Sequence, residues 1–138
     1  MYDHKYHLVW ITKYRKSVLS GEEAVRIREL IREICASMEV EIITGNIRKD
    51  HIHLFVSVPP SVSISGLMQA IKGKTSYKML SESEKFRKMF WGKHLWARGY
   101  FSVTSGTITD EAIMEYILNQ DLVEQQKDKD FKVWDEQI

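Results

Sequence analysis

The alternation of apolar and polar residues along the chain predicts four β-strands. Residues 6–12, 40–48 and 51–58 are short runs rich in β-branched and aromatic side chains, which is typical of strands. The break between the second and third runs is only two residues long, so a tight hairpin is expected there. Residues 95–106 alternate well enough to predict a fourth strand.

Three longer segments have the spacing of amphipathic helices instead. Apolar residues recur with a period near 3.6 over 21–38, where Ser20 and Glu23 resemble a capping box. A second helix is predicted over 63–80, and residues 81–91 read as a short helix or a turn. Thr109 is placed to cap a last helix that ends near Gln120.

Without the short extra element, the predicted order is βαββαβ. This split βαβ pattern predicts an α+β protein of the ferredoxin-like or RRM-like type, with a four-stranded antiparallel sheet. The last helix follows as an addition to that pattern. The chain of 138 residues is expected to form a single domain over 1–138, with a core of about 4–120 and an acidic tail over 121–138.

Composition indicates the cellular location in which this chain is expected to act. Cys35 is the only cysteine of the sequence, which excludes a disulfide framework and favours a reducing, cytoplasmic location. No apolar run approaches the roughly 18 residues that a membrane-spanning helix needs, so no membrane association is expected. The N-terminus lacks the pattern of a signal peptide.

The net charge of +1 conceals an uneven distribution. Residues 69–98 carry eight Lys and Arg against two acids, whereas residues 110–138 carry three against nine. The basic segment could face a polyanion or could be an ordinary solvated surface.

Candidate chemistry begins with the sequence HIH at 51–53. Residues two apart on a strand point to the same side of the sheet, so His51 and His53 should project together while Ile52 points away. Such a pair is either a two-ligand site for a divalent metal or part of a solvated strand face. A metal site would need a third ligand from elsewhere.

The last predicted helix offers a candidate third metal ligand. Tyr116 and Gln120 are four residues apart and therefore share a helix face. The Gln120 amide oxygen is a ligand type suited to Mg²⁺ or Mn²⁺, while the Tyr116 phenol, whose ordinary pKa is about 10, is a candidate nucleophile.

Several motifs, in order, resemble the HUH single-tyrosine transposases of the insertion-sequence 200/605 group. The matching stretches are HLVWITKYRK (7–16), DHIHLFVSVPP (50–60), SISGLMQAIKGKTSY (63–77), LWARGYFSVTSG (95–106) and YILNQ (116–120). The acidic tail is the least similar part.

This resemblance implies a specific activity and site. Such enzymes cut and join single-stranded DNA at hairpin-bearing element ends, act as homodimers, and would here use Tyr116 to form a 5′-phosphotyrosine. It further implies that His51, His53 and Gln120 hold a Mg²⁺ or Mn²⁺ ion.

Basic side chains are the expected contacts to the DNA backbone, and aromatic rings could stack on unpaired bases, although Trp96 could equally be a core residue. The candidates for phosphate contact are Lys13, Arg15, Lys72, Lys74, Lys78 and Arg98. The candidates for stacking are Tyr14, Tyr77, Trp91 and Trp96.

Three alternatives share many of these features. An RRM-like module could bind single-stranded nucleic acid without chemistry, which would leave the His51, His53, Tyr116 and Gln120 set unexplained. A relaxase or replication initiator would usually be larger, with more histidines or a second tyrosine. A domesticated relative that cuts palindromes would share the same catalytic residues, so the sequence leaves it open.

Overall fold

The computed structural model describes residues 4–91, 93–104, 109 and 111–120, and the predicted acidic tail lies outside them. Four strands form one antiparallel sheet in the order β2-β3-β1-β4. They are β1 (Lys5–Ile11), β2 (Glu41–Ile47), β3 (His51–Ser57) and β4 (Phe101–Thr104). This is the predicted ferredoxin-like arrangement.

Helices connect and cover the strands. They are α1 (Gly21–Ser37), α2 (Ile64–Glu82), α3 (Glu84–Met89) and α4 (111–120). The hydroxyl of Ser63 accepts a bond from the Gly66 amide at 3.0 Å and caps α2. Thr109 caps α4 as predicted, because its hydroxyl accepts from the Ala112 amide at 3.1 Å. Among the described residues, no helix combines the length and apolar character needed to cross a bilayer.

One side of the sheet is buried beneath α1 and α2. Leu8 and Trp10 from β1 pack there with Ile52, Leu54 and Val56 from β3, and all five side chains are nearly or fully inaccessible. The strict alternation in both strands therefore sends every second residue to the opposite side. We call that opposite side, which carries His7, Val9, His51, His53 and Phe55, the open face.

Strand register fixes which residues are neighbours on the open face. Ile11 lies directly opposite His51 in the β1–β3 pair, and Val9 lies opposite His53. On its other side Val9 lies opposite Phe101 of β4. Directly opposed residues of antiparallel strands project to the same side with their Cβ atoms about 5 Å apart.

Two sequence predictions about local structure were wrong. The fourth strand begins at Phe101 and not at residue 95, because Gly99 takes a positive φ of 77° that interrupts an extended chain. Arg98 consequently precedes β4 instead of lying in it. Ser20 occupies the N-cap position of α1, but its side chain makes no capping hydrogen bond, so the predicted capping box does not form.

Candidate active site on the open face of the sheet

The two histidines of the HIH motif project to the open face as the strand period requires. Both are half-buried, whereas Ile52 between them is fully buried in the core on the other side. Their rings therefore stand side by side along β3 at the centre of the sheet.

His51 is held by the residue that precedes it. Its Nδ1 lies 2.8 Å from a carboxylate oxygen of Asp50. The second carboxylate oxygen of Asp50 lies 3.4 Å from Nε of Arg15. Arg15, a predicted phosphate contact, thus pairs with a carboxylate beside the histidines.

His53 is held by a third histidine that the motif did not reveal. Nε2 of His53 lies 3.0 Å from Nδ1 of His7 on the neighbouring strand. The His7 ring stacks on Phe55, with ring centroids 4.2 Å apart and planes inclined by 10°. This stacking fixes the position of His7 and, through it, the orientation of His53.

Helix α4 brings Tyr116 onto the same side of the sheet. Tyr116 packs against a small cluster of Ile11, Ala97 and Ile117, and its ring centroid is 5.6 Å from that of Phe101. The Tyr116 hydroxyl oxygen is buried. Because Ile11 is the cross-strand neighbour of His51, α4 lies over the part of the open face that borders the histidines.

Gln120 is close to Tyr116, as the four-residue spacing predicts. Both line a cavity of about 430 Å³ together with Phe101. The amide oxygen of Gln120 approaches the backbone at Gly99, where a Cβ atom would come within 3.9 Å of it. His51 and His53 are not among the described residues that line this cavity. The candidate site residues therefore form two pairs on one side of the sheet. His51 and His53 are one pair, and Tyr116 and Gln120 are the other.

The chemistry of the candidate ligands, two imidazoles and one amide oxygen, is compatible with a divalent cation. In the described part of the chain, no three His, Cys, Asp or Glu side chains converge closely enough to hold a metal ion. The amide oxygen of Gln120 is a ligand type that suits Mg²⁺ or Mn²⁺, and imidazole nitrogens also bind divalent metals.

The predicted phosphate contacts fall in three different places. Lys13, Lys72 and Arg98 line one cavity of about 850 Å³, together with Arg87 and Lys93. We call this cavity the basic cleft; no acidic residue is among the described residues that line it. Lys74 and Lys78 line a separate groove that also contains Glu33. The third place is beside the histidines, where Arg15 contacts Asp50.

Lys72 has a structural role within the basic cleft. Its ammonium group donates to the backbone carbonyls of Ala97 and Gly99, both at 2.8 Å. These two residues border α4, since Ala97 belongs to the apolar cluster that includes Ile117, and a Cβ atom at Gly99 would lie 3.9 Å from the amide oxygen of Gln120. Lys72 thereby supports the segment on which the tyrosine helix rests.

The predicted stacking residues divide by exposure. Tyr14, Tyr77 and Trp91 are exposed, and Tyr77 lines the basic cleft. Trp96 belongs to the core, because its indole packs edge-on against Trp10 and donates to the Thr75 hydroxyl at 2.8 Å. It is therefore unavailable for base stacking in this structure.

Sequence reasoning missed Asp50, His7 and Phe101. Asp50 directly precedes HIH, so an acidic neighbour of a candidate ligand was a usable signal. His7 and Phe101 become part of the site only through the β1–β3 and β1–β4 pairings, which no local pattern specifies.

Comparison with known proteins shows the family to which the chain belongs. Residues 1–120 match the family model described as "Transposase IS200 like". The chain is 34% identical over 120 residues to the ISDra2 transposase TnpA of Deinococcus radiodurans, covering 87% of this chain and 86% of the relative. It is 32% identical over 116 residues to the transposase of insertion sequence IS200 from Salmonella typhimurium, covering 84% of this chain and 76% of the relative.

Solved structures give the same fold. A crystal structure of a protein from Deinococcus radiodurans, described as a transposase, aligns with a TM-score of 0.79 at 32% identity and covers 87% of this chain and 92% of that one. A REP-associated tyrosine transposase bound to a REP hairpin aligns with a TM-score of 0.58 at 14% identity, covering 80% and 61%. The second likeness concerns the fold alone.

Proposed function

Since the chain belongs to the family of IS200-like transposases, we propose that it excises and integrates an insertion sequence by cutting and rejoining single-stranded DNA at Tyr116. The observation that carries this proposal is the position of α4. Tyr116 packs against the apolar cluster that contains Ile11, and Ile11 is the cross-strand neighbour of His51, so the candidate nucleophile and the imidazole pair lie on the same side of the sheet.

Tyr116 supplies the covalent step. Its phenolic oxygen attacks a backbone phosphorus and loses its proton as the new bond forms. The bond from phosphorus to the 3′ oxygen breaks, and that oxygen leaves as a hydroxyl group after taking up a proton. The product is a 5′-phosphotyrosine, which keeps the energy of the phosphodiester for rejoining, so that no ATP is consumed. The contact with Phe101 and the burial of the hydroxyl restrict the ring to a narrow range of orientations.

His51, His53 and Gln120 are the residues that would hold a Mg²⁺ or Mn²⁺ ion. When bound, such an ion withdraws charge from phosphoryl oxygens and so favours nucleophilic attack. The contacts of Asp50 and His7 limit rotation of the two imidazoles, which reduces the ordering that ligand binding requires.

Hairpin-bearing single-stranded DNA is the proposed partner, and the basic cleft is the surface proposed to contact its backbone. Lys13 and Arg98 are the leading candidates there because both line this cleft, whose described lining residues include no acid. Tyr77, which is 71% exposed at the cleft, is the proposed stacking residue for an unpaired base. We further propose that the chain acts as a homodimer.

A cleavage assay tests this function directly. Labelled single-stranded hairpin DNA is incubated with the protein and Mg²⁺, and covalent adducts are resolved on a denaturing gel. We expect an adduct with the wild-type protein and none with Tyr116→Phe, which should retain hairpin binding. His51→Ala and His53→Ala should bind the hairpin but not cut it.

The controls separate this chemistry from binding alone. Duplex DNA of the same sequence should be a poor substrate, and excess EDTA should stop cleavage. An adduct that persists in Tyr116→Phe, or cleavage that survives EDTA, would refute the mechanism. Hairpin binding without any cleavage by the wild type would instead favour an RRM-like binding module.

A further inference from the structure

Asp50 connects a candidate metal ligand to a cation. One carboxylate oxygen lies 2.8 Å from Nδ1 of His51, and the other lies 3.4 Å from Nε of Arg15. We propose that Asp50, held in place by Arg15, is a positioning residue that fixes the tautomer and orientation of His51 for a divalent cation. This inference rests on the proposed function, because it assigns a purpose to the same site.

The chemistry of the contact determines which nitrogen remains for the metal. A carboxylate oxygen can only accept a hydrogen bond, so Nδ1 of His51 must carry the proton. The lone pair of the ring then lies on Nε2, on the side away from Asp50. An imidazole held in this way is a pre-organised ligand, and carboxylates bonded to metal-binding histidines commonly serve this purpose.

Backbone contacts hold Asp50 where it can reach the ring. Its carbonyl oxygen accepts a hydrogen bond from the Thr12 amide at 3.0 Å, which ties the β2–β3 hairpin to the end of β1. The Arg48 amide donates to the carbonyl of His51 at 2.9 Å and closes the hairpin itself. Asp50 is therefore held by contacts to both its backbone and its side chain.

The turn that carries Arg15 has an unusual backbone. Tyr14 and Arg15 have φ values of 58° and 53°, a left-handed conformation that side chains larger than glycine rarely adopt. Arg15 is anchored there because its amide donates to the Thr12 carbonyl at 3.0 Å. A conformation of this kind is maintained when surrounding contacts require it, and the ion pair with Asp50 is one such contact.

The test measures metal binding and histidine tautomer in the full chain without DNA. Mn²⁺ titration by calorimetry gives the affinity, and ¹⁵N NMR of histidine-labelled, metal-free protein reports which nitrogen of His51 is protonated. The variants are Asp50→Asn, Arg15→Met and the double substitution. Glu41→Gln, which removes a carboxylate from an exposed position of β2, is the matched control.

We expect the wild type to show protonated Nδ1 at His51. Asp50→Asn should lose about 10- to 100-fold in Mn²⁺ affinity and change the His51 tautomer signal. Arg15→Met should give a smaller loss. The double variant should be no weaker than Asp50→Asn, because Arg15 acts on the metal through Asp50. Glu41→Gln should match the wild type.

Either of two results would overturn the proposal. The first is wild-type protein with the proton on Nε2 of His51. The second is an unchanged Mn²⁺ affinity in Asp50→Asn. Since the tautomer is read in metal-free wild-type protein, the first outcome is informative even if a variant does not fold. Neither measurement uses Tyr116 or DNA, so failure here is distinguishable from failure of the cleavage mechanism.

Discussion

Lys72 provides the most demanding test of how the tyrosine helix is supported. Its ammonium group donates to the carbonyls of Ala97 and Gly99, each at 2.8 Å. Lys72→Met keeps most of the aliphatic chain and removes both donors. Hydrogen bonds from a charged group each contribute about 1.5–3 kcal/mol. The bond to Gly99 is exposed, so that carbonyl can recover a water molecule, and we expect a total loss of about 2 kcal/mol.

Two measurements follow from that value. The free energy of unfolding in urea should fall by about 2 kcal/mol, and Tm should fall by roughly 6 °C. Because residues 97–99 border α4, amide hydrogens of 111–120 should lose more protection against exchange than those of α1. Lys74→Met, on the same helix but in a different groove, is the matched control and should leave both quantities nearly unchanged.

The result can contradict the reasoning at two separate points. Equal stability of Lys72→Met and Lys74→Met would show that the two carbonyl contacts do not stabilise the fold. A destabilised Lys72→Met in which α4 loses no more protection than α1 would show that the 97–99 segment does not support the helix. The predicted phosphate contact of Lys72 is tested separately, since losing it should reduce the salt dependence of hairpin binding by about one phosphate equivalent.

Three further predictions concern stability measured by urea unfolding. Gly99→Ala should lower the free energy of unfolding by about 1–2 kcal/mol, because φ at Gly99 is 77°. Gly73→Ala, in open space on α2, should raise it by about 0.5–1 kcal/mol, and effects of equal sign would contradict this reasoning. Burial raises the pKa of the Cys35 thiol from 9.0 to about 11. The difference in the free energy of unfolding between wild type and Cys35→Ala should therefore decline between those pH values, and a constant difference would refute this prediction. Hydrogen bonding from Arg26 lowers the pKa of Glu82, so the advantage of wild type over Glu82→Gln should disappear as pH falls through that lowered pKa. An advantage that does not change with pH would argue against the pair.

The sequence determined the features that depend on local periodicity. Alternation placed His51 and His53 on one side of β3 and Ile52 on the other, because successive strand residues must point to opposite faces. The four-residue spacing of Tyr116 and Gln120 placed both at one cavity beside α4. These relations hold within a single element, so they do not depend on its neighbours.

The same local patterns misled where tertiary contacts override them. Leu95 and Trp96 are apolar because they fill the core, and this made 95–106 resemble a long strand. Gly99 and the contacts of Lys72 interrupt the extended chain before β4 begins. Lys72 donates to the carbonyl of Ala97, which is 25 residues further along the chain, and this contact could not be read from the helical pattern around Lys72.

Only the tertiary structure decided which elements meet on the open face. The position of α4 over Ile11, the contact of His7 with His53 and the ion pair of Arg15 with Asp50 join residues distant in sequence. Such contacts are set by strand register and by the burial of apolar side chains from separate elements. A periodic pattern records which way a side chain points, but it carries no information about which distant side chain it will meet.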